Sequence, residues 1–169
     1  MEEAMSLIDY IQLVVAEDSR IVELCEFLSR EDIDRSFVLP LSSRDISIRE
    51  RVVKIQKQGF WLLAIHGNKI VGCRGCKGIV DEKEDILEFS TTVVDPSYRG
   101  IGLGMLIFRQ GVKLARDRYK PKVVRMDSTP DNEAIKRMAA DSGFVVSRIY
   151  DDPVKRGSGG KSIEYILCL

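Results

Sequence analysis

The chain has 169 residues, 44% hydrophobic and 31% charged, enough to bury a sizeable core without metal or disulfide support. Its 26 Lys and Arg balance 26 Asp and Glu, so no net field draws in nucleic acid or an anionic membrane surface. Four irregularly spaced cysteines do not make a disulfide framework, and no apolar run approaches the ~20 residues that span a bilayer.

One domain over residues 1–169 is the expectation. Met1-Glu2-Glu3 begins without the basic and apolar regions of a signal peptide, which points to a reduced, cytoplasmic protein. The acidic run Asp81 to Asp85 and the basic residues between Arg116 and Lys122 read as solvated surface.

Ile8 to Val15 is rich in β-formers and predicts a first strand. Asp18 or Ser19 then caps a helix with Ile21, Val22, Leu24, Cys25 and Leu28 at helical spacing. Glu31 to Ser43 is mixed, with an irregular apolar patch of Phe37, Val38, Pro40 and Leu41. A second helix follows from Asp45 or Ser47 to Gln58, with Ile48, Val52 and Ile55 on one side. Phe60 to His66 reads as a strand, Gly67-Asn68-Lys69 as a hairpin turn, and Ile70 to Val80 as the return strand. After the polar Asp81 to Glu84 turn, Ile86 to Val94 completes a meander.

A glycine-rich turn comes next, then an amphipathic helix from Leu103 to Asp117 and a short strand from Val123 to Asp127. Pro130-Asp131-Asn132 starts a helix whose apolar side is Ile135, Met138 and Ala139, and Gly143 is placed to end it. Phe144 to Tyr150 and Ser162 to Leu167 are final strands around the glycine-rich, basic loop Asp151 to Lys161. The order β-α-α-β-β-β-α-β-α-β-β is a mixed α+β arrangement without an internal repeat.

The stretch from Val93 to Gly104 carries the chemistry. A β-branched run ends at Pro96, three glycines fall at 100, 102 and 104, and a helix begins. Such a turn aims free backbone N–H groups and the positive end of the helix at one spot, which suits a phosphate. The dinucleotide fingerprint G-x-G-x-x-G fails, because the spacing is G-x-G-x-G and a meander precedes it. The Walker pattern fails at Gly160-Lys161-Ser162, where the leading position is Lys155 and a strand follows.

A third scheme fits. Arg99-Gly100-Ile101-Gly102-Leu103-Gly104 matches Arg/Gln-x-x-Gly-x-Gly/Ala, the pyrophosphate-binding signature of the GNAT (GCN5-related N-acetyltransferase) family. Val94-Asp95-Pro96 resembles the family's V-x-P segment, and Asn132 through Gly143-Phe144 its second element. The element order is also similar, from Ile8 to the C-terminus. The resemblance implies a single mixed, mostly antiparallel sheet with helices on both faces and a central β-splay. It implies acetyl-CoA as co-substrate, with no metal, and an amine as acceptor; homodimers are common among relatives.

Residue by residue, the resemblance assigns main-chain contacts with the pantetheine arm to Thr92, Val93 and Val94, one N–H polarising the thioester carbonyl. It assigns the pyrophosphate to the amides of Arg99, Gly100, Ile101, Gly102, Leu103 and Gly104. Arg99 adds its guanidinium or points to solvent. Asn132 either contacts the cofactor or only starts its helix.

The chemistry demands a neutral amine, and an alkyl ammonium with a pKa of about 10.4 is almost wholly protonated at pH 7. Glu88 is the candidate base, since it lies eleven positions before Arg99, an offset at which relatives carry a catalytic glutamate. Alternation puts Glu88, Ser90 and Thr92 on one face and Leu87, Phe89 and Thr91 on the other. Apolar neighbours would raise its pKa, which suits a base.

The match breaks at the leaving group. Relatives have a tyrosine seven positions after the asparagine to protonate the departing thiolate; here it is Ala139, and Tyr150, Tyr165 or water stands in. Cys73-Arg74-Gly75-Cys76 lies in a strand, where an odd separation sends the thiols to opposite faces and argues against a metal pair. His66 is the single histidine and supports no triad, and Trp61 reads as core. The expected activity is direct acetyl transfer from acetyl-CoA to a primary amine of a small molecule, with acceptor choice set by Glu31 to Ser43, the second helix and Asp151 to Lys161. The alternatives are a non-catalytic CoA-binding regulatory domain, a protein N-terminal or lysine acetyltransferase, and a different acyl-CoA donor.

Overall fold

The computed structural model describes residues 7–33, 46–152 and 160–169. Strands β1 (Ile11–Val15), β2 (Phe60–His66), β3 (Lys69–Asp81), β4 (Ile86–Val94), β5 (Val123–Ser128), β6 (Val145–Asp151) and β7 (Lys161–Cys168) form one sheet in the order β1-β2-β3-β4-β5-β7-β6. Every neighbouring pair is antiparallel except β4 and β5. That pair is parallel because the connection between them is a helical crossover. The helices are α1 (Ile21–Leu28), α2 (Ile48–Gln58), α3 (Leu103–Tyr119) and α4 (Glu133–Asp141).

The predicted first strand is shorter than its β-rich sequence. Leu7–Tyr10 is a 3-10 turn, and β1 starts at Ile11, which pairs with His66 at the end of β2. Asp18 and Ser19 do not cap α1; they lie in a 3-10 turn, Asp18–Arg20, with no side-chain cap hydrogen bond. Ser47 does cap α2, and Glu50 returns the bond to its N–H in a reciprocal capping box. The apolar patch at Phe37 to Leu41 and most of the Asp151 to Lys161 loop fall outside the described residues.

Two apolar layers sandwich the sheet. On one face α3 and α4 pack Leu103, Ile107, Phe108, Val112, Ala115 and Ala139 against Leu87, Phe89, Val124, Met126 and Tyr165. On the other, α1 and α2 pack Leu24, Leu28, Val52 and Ile55 against Trp61, Leu63, Cys73 and Val93. Trp61 is core, as expected, with its indole N–H donating to the Val52 carbonyl at 3.1 Å. Cys73 and Cys76 fall in opposite layers, also as expected.

Candidate active site

β4 and β5 pair at only three rungs, Ile86 with Val123, Leu87 with Val124 and Glu88 with Arg125. Beyond Glu88 and Arg125 no pairing joins them, although β4 continues to Val94 and β5 to Ser128. The two strands therefore splay into a V, whose lips carry main-chain N–H and C=O groups turned toward the gap.

One expectation about the β4 lip is corrected. Arg74 pairs with Thr92 while Cys76 pairs with Phe89, so β4 holds one residue more than β3 over this interval. That is a β-bulge, and it reverses the alternation. Ser90 accepts from Arg51 of α2, yet Thr92 accepts from Arg74, which lies on the α3 face. Val93 packs in the α1–α2 layer and Val94 against the other. Glu88 and Ser90 thus share a face that Thr92 does not.

The glycine turn sits at the mouth of the V. Asp95 caps a 3-10 turn, Pro96–Tyr98, by accepting from the Ser97 N–H at 2.8 Å, and Arg30 from the end of α1 holds its other oxygen at 2.5 Å. Gly100 and Gly102 have φ of 81° and 89°, in the left-handed region that favours glycine. A Cβ built on either meets no atom within 4 Å, so the turn faces open space. The Arg99 amide is engaged with the Pro96 carbonyl at 3.3 Å, and its guanidinium folds back on the Val94 carbonyl at 3.1 Å.

From Gly100 to Met105, no amide has a backbone acceptor among the described residues. The first helical bond of α3 is Leu106 N–H to Gly102 at 3.0 Å. A Cβ at Gly104 would lie 3.7 Å from Val94 and 3.8 Å from Met138, so the start of α3 is wedged between β4 and α4. The start of α3 lies at the opening, and its positive end adds there.

Glu88 stands at the apex, 13% exposed, in a cationic clasp. It pairs with Lys77 of β3 and, at 2.6 Å, with Arg125 of β5. Burial pushes its pKa up, but Lys77 and Arg125 outweigh burial and leave the carboxyl below the ordinary glutamate value. The expected raised pKa is therefore corrected: the neighbours that decide it are across the strands, not along them.

Behind the apex lies Arg74, 1% exposed. Its guanidinium is stacked between Phe89 and Phe108, 4.0 Å from each ring centre, and donates to Thr92 Oγ1 at 2.6 Å and toward Met126 Sδ at 3.9 Å. It spans the two lips from beneath. Burial without a carboxylate pulls its pKa down to about 9.

Asn132 caps α4, accepting from the Ile135 N–H at 3.1 Å, so its helix-starting role is occupied and its amide N–H groups stay available. Ala139, in the usual tyrosine position, is buried in the core. Tyr165 lies in register with Met126 on the β5 lip, and Tyr150 shares the opposite face with Asp127. Burial raises both phenols above the ordinary tyrosine value, which keeps them protonated. The His66 ring is hydrogen-bonded to the Tyr98 hydroxyl at 2.7 Å. Among the described residues no group of acids, histidines and cysteines could hold a metal ion, and no helix is long and apolar enough to cross a membrane.

The sequence model of the acetyltransferase (GNAT) family matches residues 13–144. The chain belongs to the GNAT acetyltransferase family. Structural neighbours agree with this GNAT fold. One is an acetyltransferase of the GNAT family from Streptococcus pneumoniae, 17% identical, TM-score 0.75, covering 94% of this chain and 99% of that one. Another is the ribosomal-protein-S5-alanine acetyltransferase from Vibrio fischeri, 14% identical, TM-score 0.76, covering 94% and 93%. A third, yncA from Salmonella typhimurium, was solved with its cofactor acetyl-CoA, and is 18% identical with TM-score 0.72, covering 94% of each chain. No curated protein matches the sequence significantly.

Four cations around this GNAT opening escaped the sequence reading: Arg51, Arg74, Lys77 and Arg125. Arg74 stood between two cysteines that drew attention to themselves. Lys77 and Arg125 meet Glu88 only through strand register, which no local pattern encodes. Arg51 lies outside the apolar side, Ile48, Val52 and Ile55, by which the sequence marks α2. The signal that existed was strand alternation itself, which sets Arg125 on the face opposite the buried Val124 and Met126.

Proposed function

We propose that this protein is an N-acetyltransferase that takes acetyl-CoA and passes its acetyl group directly to a primary amine of a small molecule. The observation that carries the reading is the set of unengaged amides from Gly100 to Gly104 at the mouth of the V. They, with the start of α3, would hold the diphosphate, and Thr92, Val93 and Val94 would offer main-chain groups to the pantetheine arm. The Arg99 guanidinium adds charge near the turn, and the Asn132 amide at the start of α4 would reach the cofactor. Bound acetyl-CoA supplies an activated thioester: the acyl C–S bond breaks, a C–N bond forms, and free thiol leaves.

Glu88 is the proposed proton acceptor, and its clasp limits its basicity. A carboxylate held below its ordinary pKa is a weak base for an ammonium near 10.4, so part of the deprotonation falls on the surroundings. Arg51, Lys77 and Arg125 disfavour a further positive charge beside them and so lower the pKa of an amine placed there. A protonated Tyr165 or Tyr150, or water, returns a proton to the thiolate, which at a pKa of about 8.5 is already a tolerable leaving group. The cytoplasm suits a chain whose four cysteines are free.

The rival reading is a CoA-responsive binding domain without turnover, favoured by Ala139 and by the ion-paired state of Glu88. Purified protein incubated with acetyl-CoA and an amine panel, with free thiol recorded, separates the two. Thiol release that depends on the amine supports transfer. Tight CoA binding with no release on any amine supports the binding domain.

A further inference from the structure

On the face of the sheet opposite α3 lies a cavity of about 530 Å³, between α2 and the β3–β4 hairpin. Arg51, Lys54, Lys77 and Glu88 line it, with Ile55 and Ile79 as an apolar wall. It reaches the apex of the V at Glu88, and Ser90 just beyond accepts from Arg51. With the donor's diphosphate at the glycine turn on the α3 side, this is the side from which an acceptor approaches the thioester.

Charge here is lopsided. The carboxylates on this face have partners: Glu88 holds Lys77 and Arg125, Glu164 holds Arg148, and Asp127 accepts from the Tyr150 hydroxyl. The cations outnumber them, since Lys77 and Arg125 share the one carboxylate of Glu88. Among the described residues Lys54 has no ion pair, and Arg51 has none either, only a hydrogen bond to the neutral Ser90 hydroxyl at 2.9 Å and the attraction of Glu88. The Nε atoms of Arg51 and Arg125 are buried without an acceptor. One carboxylate, Glu88, is shared among Arg51, Lys77 and Arg125, which leaves the group short of negative charge, and a bidentate carboxylate or phosphate is the group that satisfies a buried guanidinium. A polycation entering this cavity would meet Arg51, Lys54 and Lys77 against the single carboxylate of Glu88.

We propose that the acceptor is a primary amine that also carries a carboxylate or a phosphate, held by Arg51 with Lys54 and Lys77 while its nitrogen sits beside Glu88. This rests on the acetyl-transfer reading above and narrows its substrate class. The cations that hold the acidic end also favour the neutral form of the nearby amine.

The test uses the full chain. Calorimetry with acetyl-CoA comes first. The acetyl-CoA-loaded protein then receives β-alanine and O-phosphoethanolamine beside their neutral counterparts propylamine and ethanolamine, and spermidine, with thiol release recorded. The CoA-loaded protein is titrated with each amine by calorimetry. One or both acidic amines should bind or react at least roughly tenfold better than their counterparts. The two acidic arms tell carboxylate from phosphate. Arg51→Gln should raise KM for that amine roughly tenfold, and the exposed Lys54→Gln roughly threefold, with kcat moved less than about twofold. Arg51→Lys, which keeps the charge, should recover part of the loss. Neutral amines or spermidine used as well or better, no preference by either readout, or a preference that survives both Gln substitutions, would each overturn the proposal. A chain that binds no CoA before any amine is added would remove the acetyl-transfer reading itself.

Discussion

Glu88 on β4 and Arg125 on β5 face each other across the last rung before the strands part, and their side chains join at 2.6 Å. The pair fixes the apex of the opening and sets the ionisation of the one acid placed to take a proton there. Glu88→Gln should lower kcat/KM by about a hundredfold, the low end for a general base. The pH profile carries more information. Because the Glu88 pKa is lowered, the carboxylate is already ionised across neutrality. Wild-type kcat/KM should therefore rise toward the pKa of the acceptor amine with no inflection from Glu88 between about pH 5 and 7. An acid limb in that range that vanishes in Glu88→Gln would contradict this.

The same clasp contributes to folding. A depressed carboxyl pKa gives stability that is present above the unfolded value and lost as pH falls through the folded one. Glu88→Gln should cost about 1–2 kcal/mol at pH 7, less than for a fully buried pair because Lys77 and Arg125 keep contact with water. The difference from wild type should shrink below about pH 4, as followed by chemical denaturation across pH.

Gly102, at φ 89°, has open space around a built Cβ. Gly102→Ala therefore meets strain rather than a clash, costing about 1–2 kcal/mol of stability. Binding should suffer more, because the methyl group stands where an anion would approach the amides. KM for acetyl-CoA should rise at least about tenfold, checked by steady-state kinetics beside a thermal melt.

Gly111 lies within α3, where alanine is ordinarily the better helix former by about 1 kcal/mol. Here the sign reverses. A Cβ at Gly111 would stand 2.8 Å from Cδ of the buried Arg74, which is pinned between two phenyl rings. Gly111→Ala should destabilise the fold by about 1–3 kcal/mol, seen as a lowered denaturation midpoint. An unchanged or raised midpoint would show that Arg74 has room to move.

Asp95 ties the glycine turn to Arg30 at the end of α1. Burial raises its pKa, but Arg30 and the Ser97 amide outweigh burial and hold it below the ordinary aspartate value. Asp95→Asn should lower the melting temperature near neutral pH, by the equivalent of about 1 kcal/mol or less since Arg30 is partly solvated. The gap should close as pH falls through the folded pKa of Asp95 and the wild-type carboxyl protonates.

Much of the architecture is written locally. The continuous apolar run from Phe60 to Ile65 and the glycine after His66, the Ser47 and Glu50 capping pair, and the run from Pro96 to Gly104 each determine their own backbone, and each lies where the pattern places it. Glu88 was legible as a candidate by its distance from the turn. Its ionisation was not, because Lys77 and Arg125 come from neighbouring strands. The face of Thr92 was misjudged for a related reason, since the bulge shows only when β4 is laid against β3. The cations of the acceptor cavity were hidden because on a helix or strand a lysine or arginine reads as solvated surface until something covers it.

The sheet is close to being two plates. Strands β1 to β4 on one side and β5 to β7 on the other share only the rungs from Ile86–Val123 to Glu88–Arg125. A slender molecule laid along the gap, bonded to both edges, would act as the strand that is missing there and stitch the plates together. Its affinity would then appear as resistance to unfolding. Those amides from Met126 to Ser128 that point into the gap rather than toward β7, far in sequence from the glycine turn, would be the first to lose exchange with solvent once the seam is filled.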